Sequence, residues 1–193
     1  MKILSGKLKG RNFFMPHGIS PTSNVLRKAI FDIIGHDLEG MEVLELFAGS
    51  GAIGLEAFSL GAPSVVFVEK DPRCAKVIEE NLRILGIPFS LGKGGGGQII
   101  PADAFTTIRQ LDRQGRKFSC VILDPPYEAE LGKKALKELK VHDILHPVSW
   151  LIVEHNSRDI LPEAFGRFVC VRQRQYGRSL LSIFEGKPQL QPL

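Results

Sequence analysis

Between residues 42 and 154, short apolar runs alternate with longer segments whose apolar residues recur every three or four positions. EVLELF (42–47), SVVFVE (64–69), QIIP (98–101), FSCVIL (118–123) and WLIVE (150–154) are almost continuously apolar, the pattern of strands buried on both faces. The stretches 52–60, 72–85, 105–113, 130–140 and 159–165 read as helices. Strict alternation of the two predicts an α/β fold with a parallel sheet covered on both sides. The final run, FVCVRQRQYGRSLLSIFE, holds two strand-like pieces around Tyr176-Gly177 with no space for a helix, so it predicts an antiparallel hairpin. Five crossover strands and this hairpin make seven strands. Ahead of them, PTSNVLRKAIFDII reads as a helix. In GKLKGR, Lys7, Lys9 and Arg11 recur at every second position, which in a strand places all three on one face.

Composition narrows the class without changing that picture. A chain of 193 residues, 44% hydrophobic and 24% charged, suffices for one buried core. No apolar run approaches the roughly 18 residues of a membrane span, and no signal-peptide core follows the basic start, so a soluble cytoplasmic protein is expected. Cys74, Cys120 and Cys170 are scattered and odd in number, which supports neither a disulfide framework nor a metal site; reduced structural thiols are expected. Net charge is +4, but Lys2, Lys7, Lys9, Arg11, Arg27 and Lys28 crowd the first 31 residues without one acid. A second acid-free stretch, 166–184, holds Arg167, Arg172, Arg174 and Arg178. Basic ends around a mildly acidic middle point to a polyanionic partner. The glycine run at 92–98 lacks the Gly-Lys-Ser/Thr ending of a phosphate-binding loop and reads as a flexible connection.

Two segments carry chemistry. In VLELFAGSGAIGLEA, Gly49, Gly51 and Gly54 have the G-x-G-x-x-G spacing at a strand-to-helix turn, where a ligand approaches the backbone closely. Glu69 ends the next strand, where an acid accepts hydrogen bonds from the ribose hydroxyls of an adenosine-containing cofactor. A dinucleotide would rest its pyrophosphate on the helix N-terminus, and Glu45, just before the turn, opposes that charge. A carboxylate there suits a cation such as a sulfonium with an amino-acid ammonium group, which favours S-adenosylmethionine over NAD. Asp103 in PADAF stands where it can accept from an adenine amino group, cap the following helix, or do both.

The second segment, VILDPPYEAE, ends a strand in a carboxylate, two prolines and an aromatic ring. An amine conjugated to a nucleobase is a poor nucleophile because its lone pair is delocalised. Asp124 and the Pro125 carbonyl, held rigid by Pro125 and Pro126, can accept its two hydrogens and aim the lone pair at an electrophile, while Tyr127 offers a face for stacking.

Together LELFAGSGAIGLEA, VVFVEKD, VILDPPY, LIVEH and the opening ILSGKLKGRNF resemble the bacterial 16S ribosomal RNA guanine-N2 methyltransferase family over nearly the whole chain. The resemblance implies a Rossmann-like class I methyltransferase, with residues 1–20 as a basic β-hairpin extension that grips RNA and residues 21–193 as the methyltransferase domain. It implies S-adenosylmethionine as cofactor, at Glu45, Gly49, Gly51, Glu69 and Asp103, and amine methylation at Asp124 to Tyr127. The expected partner is small-subunit rRNA or an assembling small subunit, held by Lys7, Lys9, Arg11 and Arg27, with no metal and a monomeric chain. The segment SPTSNVLRKAIFD departs from the family in having Ser20 where arginine is usual and Asn24 where aspartate is usual. Two other readings are an adenine-N6 or cytosine-N4 DNA methyltransferase, which usually needs a large target-recognition region, and a methyltransferase-like module that clamps RNA without catalysis. An NAD-dependent dehydrogenase is disfavoured by Glu45.

Overall fold

The computed structural model describes residues 1–19, 22–90, 96–126 and 130–187. Its strands are β1 (Glu42–Leu46), β2 (Ser64–Val68), β3 (Phe89–Ser90), β4 (Gly96–Ile100), β5 (Phe118–Leu123), β6 (Leu145–Asn156), β7 (Ala164–Phe165), β8 (Phe168–Tyr176) and β9 (Ser179–Gly186). The helices are α1 (Asn24–Ile34), α2 (Ala52–Ser59), α3 (Pro72–Leu85), α4 (Ala104–Arg113) and α5 (Leu131–Val141). All nine strands join one mixed sheet in the order β3-β4-β2-β1-β5-β6-β9-β8-β7. β1 through β6 run parallel to one another, whereas β9 pairs antiparallel with both β6 and β8.

Strand alternation divides the core in two. Val43, Val65, Phe67, Cys120, Ile122 and Ile152 face α1, α2 and α3. Their chain neighbours Leu44, Val66, Val68, Val121, Leu123 and Val153 face α4 and α5. The helix ends follow from sequence chemistry. Asp71 caps α3 by accepting from the Arg73 N–H at 2.8 Å, Pro72 opens it, and Gly86 closes it in the left-handed region. Buried Cys74 and Cys120 are free thiols, pushed up to about 11 and about 12 by burial.

Three expectations need correction. Among the described residues the sheet has nine strands rather than seven, because two-residue pieces, β3 and β7, pair onto its edges. Residues 159–165 contain no helix: the chain runs irregularly to β7, whose Phe165 stacks on Phe168 at 5.3 Å. Part of the glycine run is strand, since Gly96 and Gly97 pair with Ser64 and Val65; residues 91–95 lie outside the described residues.

The basic start differs too. Met1–Ile3 and Arg11–Phe13 hydrogen-bond as the arms of a short hairpin, but residues 5–10 form turns rather than a strand. Lys7, Lys9 and Arg11 therefore do not form one row. Lys7 lies 3.8 Å from Glu39, Arg11 donates to the Leu85 carbonyl at the end of α3, and Lys9 is exposed. The hairpin shares the α1–α3 core through Ile3 and Phe13. It is also tied down by Glu56, which accepts from the Leu4 N–H at 2.8 Å, and by Asn81, which accepts from the Phe14 N–H at 2.7 Å.

Candidate active site

Strand order reverses between β2-β1 and β5-β6, and in open α/β sheets the crevice beyond the carboxyl ends at such a point receives ligands. There the alternation puts four carboxylates on one face. Glu45, Glu69, Asp124 and Glu154 each follow by two an α1–α3-facing residue: Val43, Phe67, Ile122 and Ile152. Glu69, Asp124 and Glu154 line a cavity of about 560 Å³, a size that suits a small cofactor. Phe47, Gly49, Lys70, Asp71, Pro125 and Pro126 also line it.

The glycine turn shapes one wall. Gly51 stands at φ +75 as the residue before α2, a conformation other residues adopt only under strain. Gly54 has no room for a side chain, because a Cβ would sit 2.4 Å from the Phe67 ring and 2.8 Å from Glu45 Oε2. Phe47 also takes a left-handed backbone, at φ 61, and sets its ring edge-on to Phe105 at 5.9 Å. A non-glycine residue held there is strained, and such strain concentrates at functional sites.

Glu69 is held ready. One carboxylate oxygen accepts from the Gly49 N–H and the other from the Asp71 N–H, both at 2.8 Å. A carboxylate has about four acceptor sites, so two remain for a diol. Asp103 caps α4 by accepting from the Thr106 N–H at 3.0 Å; it is exposed, and its neighbours Ala102 and Ala104 line the cavity.

Glu45 sits deeper than the sequence predicts. It is buried and receives the Ile53 and Gly54 N–H groups at 3.3 and 2.9 Å, so the chain's own carboxylate occupies the N-terminus of α2. Burial pushes it up to about 8, against those hydrogen bonds and with help from the charges of Asp124 and Glu69. A pyrophosphate would find that helix end already taken.

Asp124 accepts a hydrogen bond from the Thr22 hydroxyl and meets the Glu154 carboxyl from the adjacent strand, where Leu123 pairs with Val153. Burial raises Asp124 well above the ordinary carboxylate range, the Glu154 charge raises it further, and Thr22 opposes both. A carboxyl raised in this way is a place to receive a proton, which fits Asp124 for that role. Tyr127 lies outside the described residues.

The remaining predicted residue, Arg27, is corrected by its burial. It is wholly buried, pairs with Glu56 at 2.8 Å, and donates to the Lys2 carbonyl and Asn24 side chain, so it cannot reach a phosphate. Conversely, several cavity residues went unpredicted, among them Thr22, Phe47 and Glu154. Strand alternation from Ile152 points to Glu154, and Phe47's place between strand and glycine turn is a weaker signal. Nothing local marks Thr22, which is 102 residues from Asp124. Among the described residues no group of His, Cys, Asp and Glu is arranged to hold a metal, and no helix is long and apolar enough to cross a membrane.

Known proteins share this architecture. The Bacillus subtilis (strain 168) protein named "Putative rRNA methyltransferase YlbH" is 30% identical over 187 residues, covering 96% of this chain and 98% of its own. "Ribosomal RNA small subunit methyltransferase D" of Escherichia coli (strain K12) is 25% identical, covering 98% and 91%. The structure described as "Putative methyltransferase yhhF from Escherichia coli" superposes with a TM-score of 0.82 at 23% identity, covering 98% and 99%, which places this chain in the α/β class I methyltransferase fold. The family described as "Conserved hypothetical protein 95" matches residues 1–185, and the chain belongs to that family.

Proposed function

We propose that this protein transfers a methyl group from S-adenosylmethionine to the exocyclic N2 amine of a guanine in 16S ribosomal RNA, within an assembling small subunit. The observation that carries the cofactor reading is the carboxylate face: Glu69, Asp71, Asp124 and Glu154 line the cavity with Lys70 as the one base among its described lining residues, and Glu45 lies behind them. Such a site favours a cation, and it excludes a pyrophosphate from α2. When bound, the cofactor supplies an electrophilic methyl on a sulfonium. Glu69 accepts the ribose hydroxyls with its two open acceptor sites, Gly49 and Gly51 let the ligand approach the backbone, and Asp103 accepts from the adenine amine at the rim.

Asp124 and the Pro125 carbonyl accept the two hydrogens of the guanine amine and turn its lone pair toward the methyl, which is catalysis by orientation. As the N–C bond forms and the S–C bond breaks, the amine becomes cationic and gives its proton to Asp124. Lys9 on the exposed hairpin turn offers a phosphate contact away from the cavity, beside Lys7 and Arg11, which are exposed but already engaged with Glu39 and the Leu85 carbonyl. The names of the relatives support rRNA as the substrate class. The test is incubation with labelled cofactor and, separately, unmodified 16S rRNA, unmodified small subunits and DNA of matching sequence, followed by digestion to nucleosides. Label in N2-methylguanosine from the RNA or particle is expected; label in N6-methyladenine or N4-methylcytosine from DNA overturns the proposal.

A further inference from the structure

With Arg27 buried and Lys7 and Arg11 engaged on the protein surface, the positive face that meets RNA needs another location. We propose that the RNA backbone runs along β8 and the two turns beside it, on Arg172, Arg174 and Arg178 with Arg158, and enters the cavity past Ser179. This rests on RNA being the substrate.

A bulge at Cys170/Arg172 resets the alternation of β8, after which Arg172 pairs with Ile183, Arg174 with Leu181 and Tyr176 with Ser179. Directly opposed residues share a sheet face, and Leu181, Ile183 and Tyr176 belong to the α1–α3 core. Arg172 and Arg174 therefore project on the same face as the four carboxylates of the site. Both are exposed, and neither side chain has an ion-pair or hydrogen-bond partner among the described residues. Gln173, on the other face, is engaged with Ser182 at 3.0 Å.

The strand's direction gives the row its destination. β9 is antiparallel to β6, so the Tyr176 end of β8 lies on the carboxyl side of the parallel strands, where the cavity opens. Ser179, opposite Tyr176, lines that cavity. Arg174 and Arg172 follow at about 7 and about 13 Å along the strand, from a rise of about 3.3 Å per residue. The Gly177–Arg178 turn touches the turn after β6 through the Ser157 N–H to Arg178 carbonyl bond of 2.8 Å, which brings exposed Arg158 alongside. Of the nearby acids, Glu185 and Glu163 are at the far end of β8, where Glu185 pairs with Val169 and Glu163 bonds Cys170 through its backbone, while Asp159 adjoins Arg158 in the turn after β6. Because β7 covers only Val169 and Phe168 and Glu163 bonds the Cys170 N–H, the outer edge is open along residues 171–176, a length of strand that arginines also protect against edge-to-edge association.

The experiment compares Arg172→Gln/Arg174→Gln/Arg178→Gln with the same three positions changed to Lys, and with Lys7→Gln/Lys9→Gln/Arg11→Gln. RNA affinity is measured across a salt series, cofactor affinity by calorimetry and folding by circular dichroism. Each phosphate contact to a single strand contributes about 0.7 to the slope of log affinity against log salt, so the β8 glutamine variant is expected to lose about 2 from the slope. The lysine variant keeps the slope, cofactor affinity holds in all three, and the hairpin variant loses less than the β8 variant. A folded β8 glutamine variant with the parent's slope overturns the docking surface and leaves the row as an edge guard. A parent that methylates neither 16S rRNA nor small subunits overturns the functional reading beneath it, a separately visible failure.

Discussion

Removing the Arg27 guanidinium should unfold the protein more readily rather than loosen its hold on RNA. Arg27 and Glu56 are both essentially excluded from solvent, and Glu56 also anchors the Leu4 and Ser5 N–H groups of the hairpin. In Arg27→Met the stem remains but Glu56 is left buried without its cation, a change that costs about 3–5 kcal/mol when the remaining charge stays ionised. Burial already raises Glu56 above its ordinary value of 4.5, against the Leu4 N–H, the Arg27 charge and the Ser5 N–H, which hold it down. Without Arg27 the folded-state value rises further. A carboxyl whose folded value exceeds its unfolded one loses stability as pH climbs from the unfolded value toward the folded value. The penalty should therefore be smaller at pH 5 than at pH 8. For a chain of this size about 3–5 kcal/mol corresponds to a melting point lower by roughly 6–20 °C. Urea denaturation at pH 5 and pH 8 measures both quantities, and adding Glu56→Gln should flatten the pH dependence. An unchanged midpoint at pH 8, together with weakened RNA binding, would refute the reasoning and return Arg27 to the surface.

Glu69→Ala should weaken cofactor binding by about 1–3 kcal/mol, whereas Asp124→Asn should abolish methyl transfer and leave that affinity nearly intact; calorimetry reversing this division would show the two acids exchanged. Cofactor affinity itself should strengthen from pH 6 to pH 9, because a cation favours the ionised form of Glu45, raised to about 8 in the free protein, and titrations in buffers of different ionisation enthalpy should show proton release. Glu154→Gln removes the like charge beside Asp124, so the rising limb of kcat/KM against pH should move to lower pH; an unshifted limb with reduced kcat would mean that Glu154 only packs the site. Gly54→Ala should cost about 1–3 kcal/mol through overpacking against Phe67, read as a lower denaturation midpoint.

The parallel sheet was legible because its strands are apolar on both faces, and so were the helices whose caps are local, such as Asp71-Pro72 before α3. The same locality made Glu69, Asp124 and the glycine turn readable, since each lies at a strand end that the sequence marks. What could not be read depended on partners far along the chain. Arg27 looks like any helical arginine until Glu56 is placed against it, and only then does its burial follow. GKLKGR has strand periodicity, but Gly6 and Gly10 take positive φ and fold it into turns that bond to Ser59 of α2. The apparent helix at 159–165 failed because Leu161 and Phe165 are buried by tertiary packing rather than by helical periodicity.

The tethering of the hairpin has a consequence for synthesis. The hairpin residues are secured by groups that follow them much later in the chain: Leu4 waits for Glu56, Phe14 for Asn81 and Arg11 for the Leu85 carbonyl, separations of 52, 67 and 74 residues. At about 5–20 residues per second the N-terminal segment stays undocked for roughly 3–15 s of elongation, with Phe13 and Ile3 exposed to chaperones, before α2 and α3 emerge and give it a place to bind.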